Sequence, residues 1–206
     1  MWASLGTPIL DKNDRAVNEF AVRGDPAAEP CAHERPRIRR LGRLDLPAIA
    51  DHLLRLEPED RRLRFGTRLS DDGIRAHIAQ IDWSSAVLLA AEHDGRIVGL
   101  GEMRACSAGR ERTAEVAFSV DRVWRGRDIG SELLRRLSTA ARNRGIHTLL
   151  IACQLDNGRM LRLAHHVGAR IHIDHGDVEA RVDLPNATPM TVLMEIWDET
   201  TSFWPG

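Results

Sequence analysis

The chain has 206 residues, of which 43% are hydrophobic and 29% are charged, and its formal net charge is -1. This length is enough for one domain with a full core. The near-zero charge argues against a protein that binds nucleic acid through bulk positive charge. Three cysteines without paired spacing, Cys31, Cys106 and Cys153, predict neither a disulfide framework nor a zinc site. We therefore expect no metal and no nucleic-acid partner.

Two further features concern location and domain boundaries. No stretch approaches membrane-spanning length, and the first residues lack the basic-then-apolar pattern of a signal peptide. These patterns predict a cytoplasmic protein without a membrane partner.

Residues 1–36 contain several prolines and little periodicity, so we expect a flexible extension. The folded domain is then expected over residues 37–198, followed by a tail over residues 199–206.

The first half of the domain reads as one strand, three helices and a hairpin. The strand is Arg37–Leu41, and the helices begin at the N-cap residue Asp45, near Pro58, and at Ser70. An Asp-Gly turn then separates two apolar runs, which predicts a hairpin. Its strands are Val87–His93 and Arg96–Ala105.

In the second half, strands alternate with helices. The predicted elements are a loop over Cys106–Arg112, a strand at Thr113–Val120, an amphipathic helix that stops at Gly145, a buried strand at His147–Cys153, a short helix that Asp156 or Asn157 caps and Gly168 ends, and strands near Val178–Leu184 and Thr191–Trp197.

The turn after Val120 carries the strongest functional signal. It reads Arg125-Gly126-Arg127-Asp128-Ile129-Gly130 and joins a strand to the start of a helix. Backbone N–H groups at a helix N-terminus are unpaired, and nearby arginines add positive charge. The turn therefore predicts a site for an anion, most naturally a phosphate. Asp128 carries the wrong charge for such a site, and we interpret it as a helix cap that points away from the ligand.

This turn and the order of elements resemble the GNAT superfamily of acyl-CoA-dependent N-acyltransferases. The family signature Arg/Gln-x-x-Gly-x-Gly/Ala is matched by Arg125–Gly130, and a second family block is matched by Asn157–Ala169. The segment Leu56–Phe65 is similar to the Pro-Glu-x-Arg-x-x-Arg-Phe segment of bacterial protein lysine acetyltransferases. The resemblance covers roughly residues 37–197. It implies an α/β (α+β) fold with a mostly antiparallel, twisted sheet of about six to seven strands, a splayed parallel pair and about four helices.

The resemblance also implies an enzyme that transfers an acetyl group from acetyl-CoA to an amine. The acceptor is either a protein lysine or a small molecule, and a homodimer stays open. The pantetheine arm is expected along the edge of the strand that ends at Val120, and the pyrophosphate at the glycine turn. The residues expected to bind acetyl-CoA are Phe118, Ser119, Val120, Arg125, Gly126, Arg127, Asp128, Ile129, Gly130, Ser131 and Asn157.

Glu115 is the candidate general base, because the family commonly has an acid on this strand. Burial in a cleft would raise its pKa to suit that role. Glu102, on the neighbouring strand, is the reserve candidate. Glu115 lies five residues before Val120, on the face that also carries Ala117 and Ser119.

No general acid can be assigned from the sequence. The family's usual tyrosine position holds Ala164, and the chain contains no tyrosine. Cys153, Ser119 and water remain as donors, whereas His165 points about 100° away around the helix. The missing tyrosine supports a second hypothesis, in which the chain is an acyl-CoA-binding regulatory domain that has lost catalysis.

Overall fold

The computed structural model describes residues 35–106, 112–174 and 177–201. Most of the predicted N-terminal extension, most of the predicted loop over Cys106–Arg112 and the end of the predicted tail lie outside these ranges. The strands are β1 Arg37–Arg40, β2 Ala86–His93, β3 Arg96–Cys106, β4 Thr113–Val120, β5 Thr148–Gln154, β6 Arg170–Asp174 and β7 Asp177–Asp183. The helices are α1 Leu46–Leu54, α2 Pro58–Phe65, α3 Asp71–Ala79, α4 Ile129–Asn143, α5 Gly158–His166 and α6 Pro189–Thr201.

All seven strands form one sheet in the order β1-β2-β3-β4-β5-β7-β6. Neighbouring strands are antiparallel except for β4 and β5, which are parallel. The β4–β5 pairing runs from Thr113↔Thr148 to Val116↔Ile151. The last four residues of β4 therefore separate from β5, which confirms the expected mixed sheet with a splayed parallel pair.

The helices cover both faces of the sheet. On one face α1 and α3 bury apolar side chains against β2 and β3: Ile49, Leu53, Ile74, Leu88 and Leu100. On the other face α4 and α5 cover the centre of the sheet: Leu133, Leu137, Ala164, Val116 and Ile151. This packing explains the amphipathic pattern of α4, whose apolar residues recur at helical spacing. None of the described helices is both long and apolar enough to cross a membrane.

The C-terminal element corrects one prediction. Residues Thr191–Trp197 were predicted as a strand, but they belong to helix α6. The helix starts with reciprocal hydrogen bonds, because the Thr188 hydroxyl accepts from Thr191 N and the Thr191 hydroxyl accepts from Thr188 N. Its polar residues face α4, where Asn143 donates to Glu195 Oε2 at 2.6 Å. Leu193 and other apolar residues of α6 are exposed, so the helix reverses the usual pattern.

Smaller differences concern β6, the helix count and the start of α1. Strand β6 was not predicted, and the described ranges contain six α-helices where about four were expected. Asp45 stands at the N-cap position of α1 as predicted, but its carboxylate does not cap that helix. Instead it accepts from Gly42 N at 2.7 Å and from Arg39 Nη2 at 2.8 Å, and so it closes the preceding turn.

Candidate active site

The turn between β4 and α4 contains two residues in the left-handed conformation and one buried tryptophan. Gly126 has φ +74°, which glycine adopts without a steric clash, and Asp128 has φ +58°. Trp124, which precedes both residues in the chain, is only 4% exposed and packs the turn against the core. This geometry brings the N-terminus of α4 to the place where β4 separates from β5. The turn that was predicted to bind an anion is therefore shaped by local structure.

Asp128 is less simple than the cap that we expected. It stands at the N-cap position of α4, and its carbonyl accepts from Glu132 N at 3.0 Å. Its carboxylate, however, makes no capping hydrogen bond, and the residue lines the cavity beside the helix. The interpretation that the carboxylate caps the helix is therefore wrong, although its position at the helix start favours a negative charge.

A first cavity of about 450 Å³ lies along the splayed end of β4. Eleven residues were predicted to bind acetyl-CoA, and ten of them line this cavity: Phe118, Ser119, Val120, Arg125, Gly126, Asp128, Ile129, Gly130, Ser131 and Asn157. Arg127 is the exception. Its guanidinium carbon lies 4.8 Å from the centre of the Trp124 ring, on which it stacks.

The charge of the first cavity is organised by Asp60, which the sequence did not single out. Asp60 is 8% exposed and accepts from Arg125 Nη2 at 2.8 Å and from Arg122 Nε at 3.1 Å. Arg125 also donates through Nε to the Val120 carbonyl at 2.9 Å. Burial, together with repulsion from Arg125, lowers the pKa of Arg159. Positive charge is thus crowded here, and an anionic ligand would relieve the repulsion.

Helix α5 forms the opposite wall of the first cavity. Asn157 caps this helix, since its Oδ1 accepts from Met160 N at 3.2 Å. This cap uses only the side-chain oxygen of Asn157, so the N–H donors of its amide group remain available to a ligand. Arg159, Arg162 and His166 also line the cavity. The sequence considered His165, but His166 is the histidine that reaches this wall.

A second cavity, of about 650 Å³, is lined by residues of β4 and by the end of β5. Glu115 lines it, together with Glu102 and Glu179. The two cavities share Leu63 and Arg64 of α2, so they meet beneath that helix. Glu115 is exposed and has no salt bridge within the described part of the chain. The expectation that Glu115 is buried is therefore wrong, while its place in the cleft agrees with a role as base.

Glu102 has the opposite environment. Its side chain is 4% exposed and forms ion pairs with Arg64, with His77 Nε2 at 3.2 Å and with Arg104 Nε at 2.5 Å. Burial alone would raise the pKa of Glu102, but the hydrogen bond from His77 and the charges of Arg64 and Arg104 lower it to about 2. A carboxylate held so firmly in its charged form is a poor proton acceptor at neutral pH. Its position therefore favours a structural role.

Ser119 is held by a buried histidine of α1. His52 is 0% exposed, and its Nδ1 lies 3.1 Å from the Ile97 carbonyl and 3.5 Å from Asp121 Oδ1. Since both neighbours are acceptors, Nδ1 carries the proton, and Nε2 accepts from the Ser119 hydroxyl at 2.9 Å. The Ser119 proton is thus directed toward His52. This arrangement removes Ser119 as a simple proton donor to a ligand in the first cavity.

The position of the missing tyrosine is filled by the core. Ala164 is 0% exposed and packs among the apolar residues beneath α5. Cys153 is 8% exposed and lines the second cavity, and burial raises the pKa of its thiol. The thiol therefore stays protonated at neutral pH. No described side chain takes the tyrosine's place on α5.

Gly130 offers a direct test of the anion site. A Cβ built on Gly130 would meet only the Leu163 side chain, at 3.9 Å, so protein packing does not require a glycine there. Gly130→Val is expected to preserve the melting temperature but to weaken CoA binding about tenfold or more, because the side chain would enter the cavity. Calorimetric titration with CoA checks this. Gly158→Val, at the start of α5 and outside the cavity wall, is the matched control; equal weakening by both variants would contradict the expectation.

Comparison with known proteins agrees with this geometry. The family model described as acetyltransferase (GNAT) family matches residues 50–169. The GNAT domain of S. lividans PAT is 25% identical, with a TM-score of 0.63, over 72% of this chain and 90% of that one. A search of curated proteins finds no match.

Two other solved structures support the fold. YncA from Salmonella typhimurium, solved with its cofactor acetyl-CoA, is 19% identical with a TM-score of 0.57, over 75% of this chain and 97% of that one. A ribosomal-protein-alanine N-acetyltransferase from Brucella melitensis is 21% identical with a TM-score of 0.53, over 70% and 96% of the two chains.

Proposed function

We propose, from the premise that this chain belongs to the GNAT family of acetyltransferases, that it transfers an acetyl group from acetyl-CoA to a primary amine. One observation carries the proposal. Two cavities meet at Leu63 and Arg64 where β4 and β5 separate: the first is basic, and the second contains Glu115, which has no salt bridge within the described residues. The first cavity suits the phosphates and the pantetheine arm of acetyl-CoA, and the second offers the Glu115 carboxylate to an amine acceptor.

The residues of the first cavity fit acetyl-CoA. Space above Gly130 lets the pyrophosphate approach the backbone N–H groups at the start of α4. Arg159 and Arg162 add positive charge from α5. The edge of β4 at Phe118–Val120 does not pair with β5, although Arg125 occupies the Val120 carbonyl, and it can hydrogen-bond the amides of the pantetheine arm as a further strand would. When bound, acetyl-CoA supplies an acetyl group already activated as a thioester.

Glu115 is the proposed general base. An acceptor amine is protonated at neutral pH and must lose a proton before it can attack a carbonyl carbon. Glu115 lies in the second cavity, and no salt bridge holds its carboxylate within the described residues. It can accept that proton directly or through one water molecule. In this proposal the amine attacks the thioester directly, without an acyl-enzyme intermediate.

The leaving thiolate needs no dedicated acid in this proposal. A thiol has a pKa of about 8.5, so its anion is a fair leaving group. The arginines of the first cavity stabilise negative charge there, and water can supply the proton. This account agrees with the buried alanine at position 164.

The second cavity and α2 favour a protein lysine as the acceptor, with a small amine as the alternative. A volume of about 650 Å³ accommodates a lysine side chain with part of its backbone. Glu115, whose carboxylate has no salt bridge within the described residues, can attract the ammonium group. The similarity to the GNAT domain of S. lividans PAT and the Arg-Phe segment that ends α2 also favour a protein acceptor.

Replacing the proposed base tests the mechanism. Glu115→Gln is expected to lower kcat at least about 10²-fold, because the amide cannot take the amine proton. CoA affinity should be unchanged, since Glu115 lies outside the first cavity. The measurement is CoA release from acetyl-CoA with a panel of amines and lysine peptides. Glu179→Gln, which makes the same change in the same cavity, is the control; equal rates for Glu115→Gln and wild type would remove Glu115 from the mechanism.

A second candidate function is a regulatory domain that binds acyl-CoA without catalysis. The observation that favours it is the buried Ala164, which stands where the family usually has its tyrosine. The same assay separates the two functions. Tight acetyl-CoA binding without turnover on any amine would support regulation, whereas turnover that depends on Glu115 would exclude it.

A further inference from the structure

Two buried polar atoms among the described residues have no hydrogen-bond partner: Arg64 Nε, a donor, and Gln154 Oε1, an acceptor. Both residues line the second cavity. An unpaired buried polar atom destabilises a protein, and natural structures contain few of them. Since one orphan is a donor and the other an acceptor, and since they share a cavity, a ligand with both kinds of group would satisfy them.

Arg64 stands at the junction of the two cavities. Its side chain is 6% exposed, and its Nη2 is ion-paired with Glu102. Its guanidinium carbon also lies 4.8 Å from the centre of the Phe65 ring. These contacts fix the guanidinium between β3 and α2. The Nε–H has no partner, and Arg64 lines both cavities, so a group bound at their junction is the candidate partner.

Gln154 ends β5, and its side chain reaches the C-terminal end of α2. Its Nε2 donates to the Gly66 carbonyl at 3.1 Å. This bond fixes which end of the amide is which, because a carbonyl accepts only from the NH₂ end. Oε1 must therefore be the buried, unpaired atom. It can accept a hydrogen bond but cannot donate one, so its partner is an N–H or O–H group.

We propose that Arg64 donates its Nε–H to the acyl carbonyl oxygen of acetyl-CoA and that Gln154 Oε1 accepts an N–H of the acceptor amine. This inference rests on the proposed function and deepens it. Arg64 then stabilises the negative charge that develops on the carbonyl oxygen during attack. Gln154 orients the amine, while Glu115 takes one of its protons.

The Arg64 part predicts a difference between ligands that does not depend on turnover. Arg64→Lys retains the charge opposite Glu102 but loses the Nε–H and its planar geometry. By calorimetry, this variant is expected to bind CoA as wild type does but to lose about tenfold in affinity for acetyl-CoA relative to CoA. Arg75→Lys, on the exposed side of α3, is the control. If Arg64→Lys does not fold, the double variant Arg64→Met/Glu102→Met removes both buried charges and carries the same expectation.

The Gln154 part is tested by steady-state kinetics on the same acceptor. Gln154→Met preserves size but removes Oε1, so the KM for the amine is expected to rise about tenfold with the KM for acetyl-CoA unchanged. Gln80→Met at the end of α3 is the control. Wild-type protein without turnover on any amine would overturn the proposed function. Wild-type turnover together with unchanged ligand preference in Arg64→Lys and unchanged KM in Gln154→Met would overturn this inference alone.

Discussion

Glu102→Ala is expected to lower the free energy of unfolding by about 3–5 kcal/mol, the cost of leaving a buried charge without its partner. The buried charge is Arg64, whose side chain is 6% exposed and whose only ion pair among the described residues is with Glu102. His77 and Arg104 would also lose their shared carboxylate. This loss is large because the described ranges hold no second buried anion that could replace Glu102 beside Arg64.

Urea denaturation of wild type and variant measures the effect. Arg64→Met/Glu102→Met is the informative partner variant, because removing both charges together leaves neither one uncompensated. We expect the double variant to be more stable than Glu102→Ala. A loss below about 1 kcal/mol for Glu102→Ala would place the pair in the class of exposed ion pairs and contradict its burial. Glu179→Gln, at an exposed ion pair in the same cavity, controls for the loss of a carboxylate.

Local signals predicted the part of the fold that forms the first cavity. The apolar run at Thr113–Val120, the glycines after it and the spaced leucines of α4 each determine structure over a few residues. Their order along the chain was sufficient to place an anion site at a helix N-terminus. Asn157 was also found, since a helix cap is local. The sequence therefore predicted those elements around the first cavity that depend on their immediate neighbours, and the binding of acetyl-CoA there stays a prediction.

Elements that depend on distant contacts were missed or misassigned. The apolar residues of α6 suggested a strand because Val192 and Ile196 are β-branched, yet the helix is held by polar contacts to Asn143 and Arg144 of α4 and its vicinity. Strand β6 is a short edge strand that pairs with β7; its five residues alternate between polar and apolar types, but the run is too short to stand out in the sequence. In α6, by contrast, tertiary contacts outweigh local preference.

Charge pairing could not be predicted either. The chain contains 29 basic and 30 acidic residues, excluding histidine, and composition does not say which of them meet. Asp60 contacts Arg122 across 62 residues, and Arg64 contacts Glu102 across 38. These pairs decide which arginines stay available to a ligand. The structure was therefore needed to separate Glu115, which is not held in a salt bridge by any described residue, from Glu102, which is.

His52 is expected to make the protein sensitive to mild acid. Burial, reinforced by Arg55 and Arg64 and opposed by the charge of Asp121, lowers the pKa of His52 to about 4 in the folded state. In the unfolded chain the pKa returns to about 6.5. Between these values the unfolded state binds a proton that the folded state excludes, so stability falls as the pH drops. Integrated from pH 6.5 to 4, the loss is on the order of 3 kcal/mol.

Urea midpoints measured between pH 7 and 4 should show this loss, and His52→Asn should flatten the curve over the same window. The variant is expected to be less stable at pH 7, because the Ser119 hydroxyl loses its acceptor, but the slope with pH is the test. The Glu102 carboxylate acts in a different window, since its stabilising effect is lost only as the pH falls from about 4.5 toward 2. A slope between pH 6.5 and 4.5 that survives in His52→Asn would assign the acid sensitivity to another group and would imply that His52 is charged in the native core.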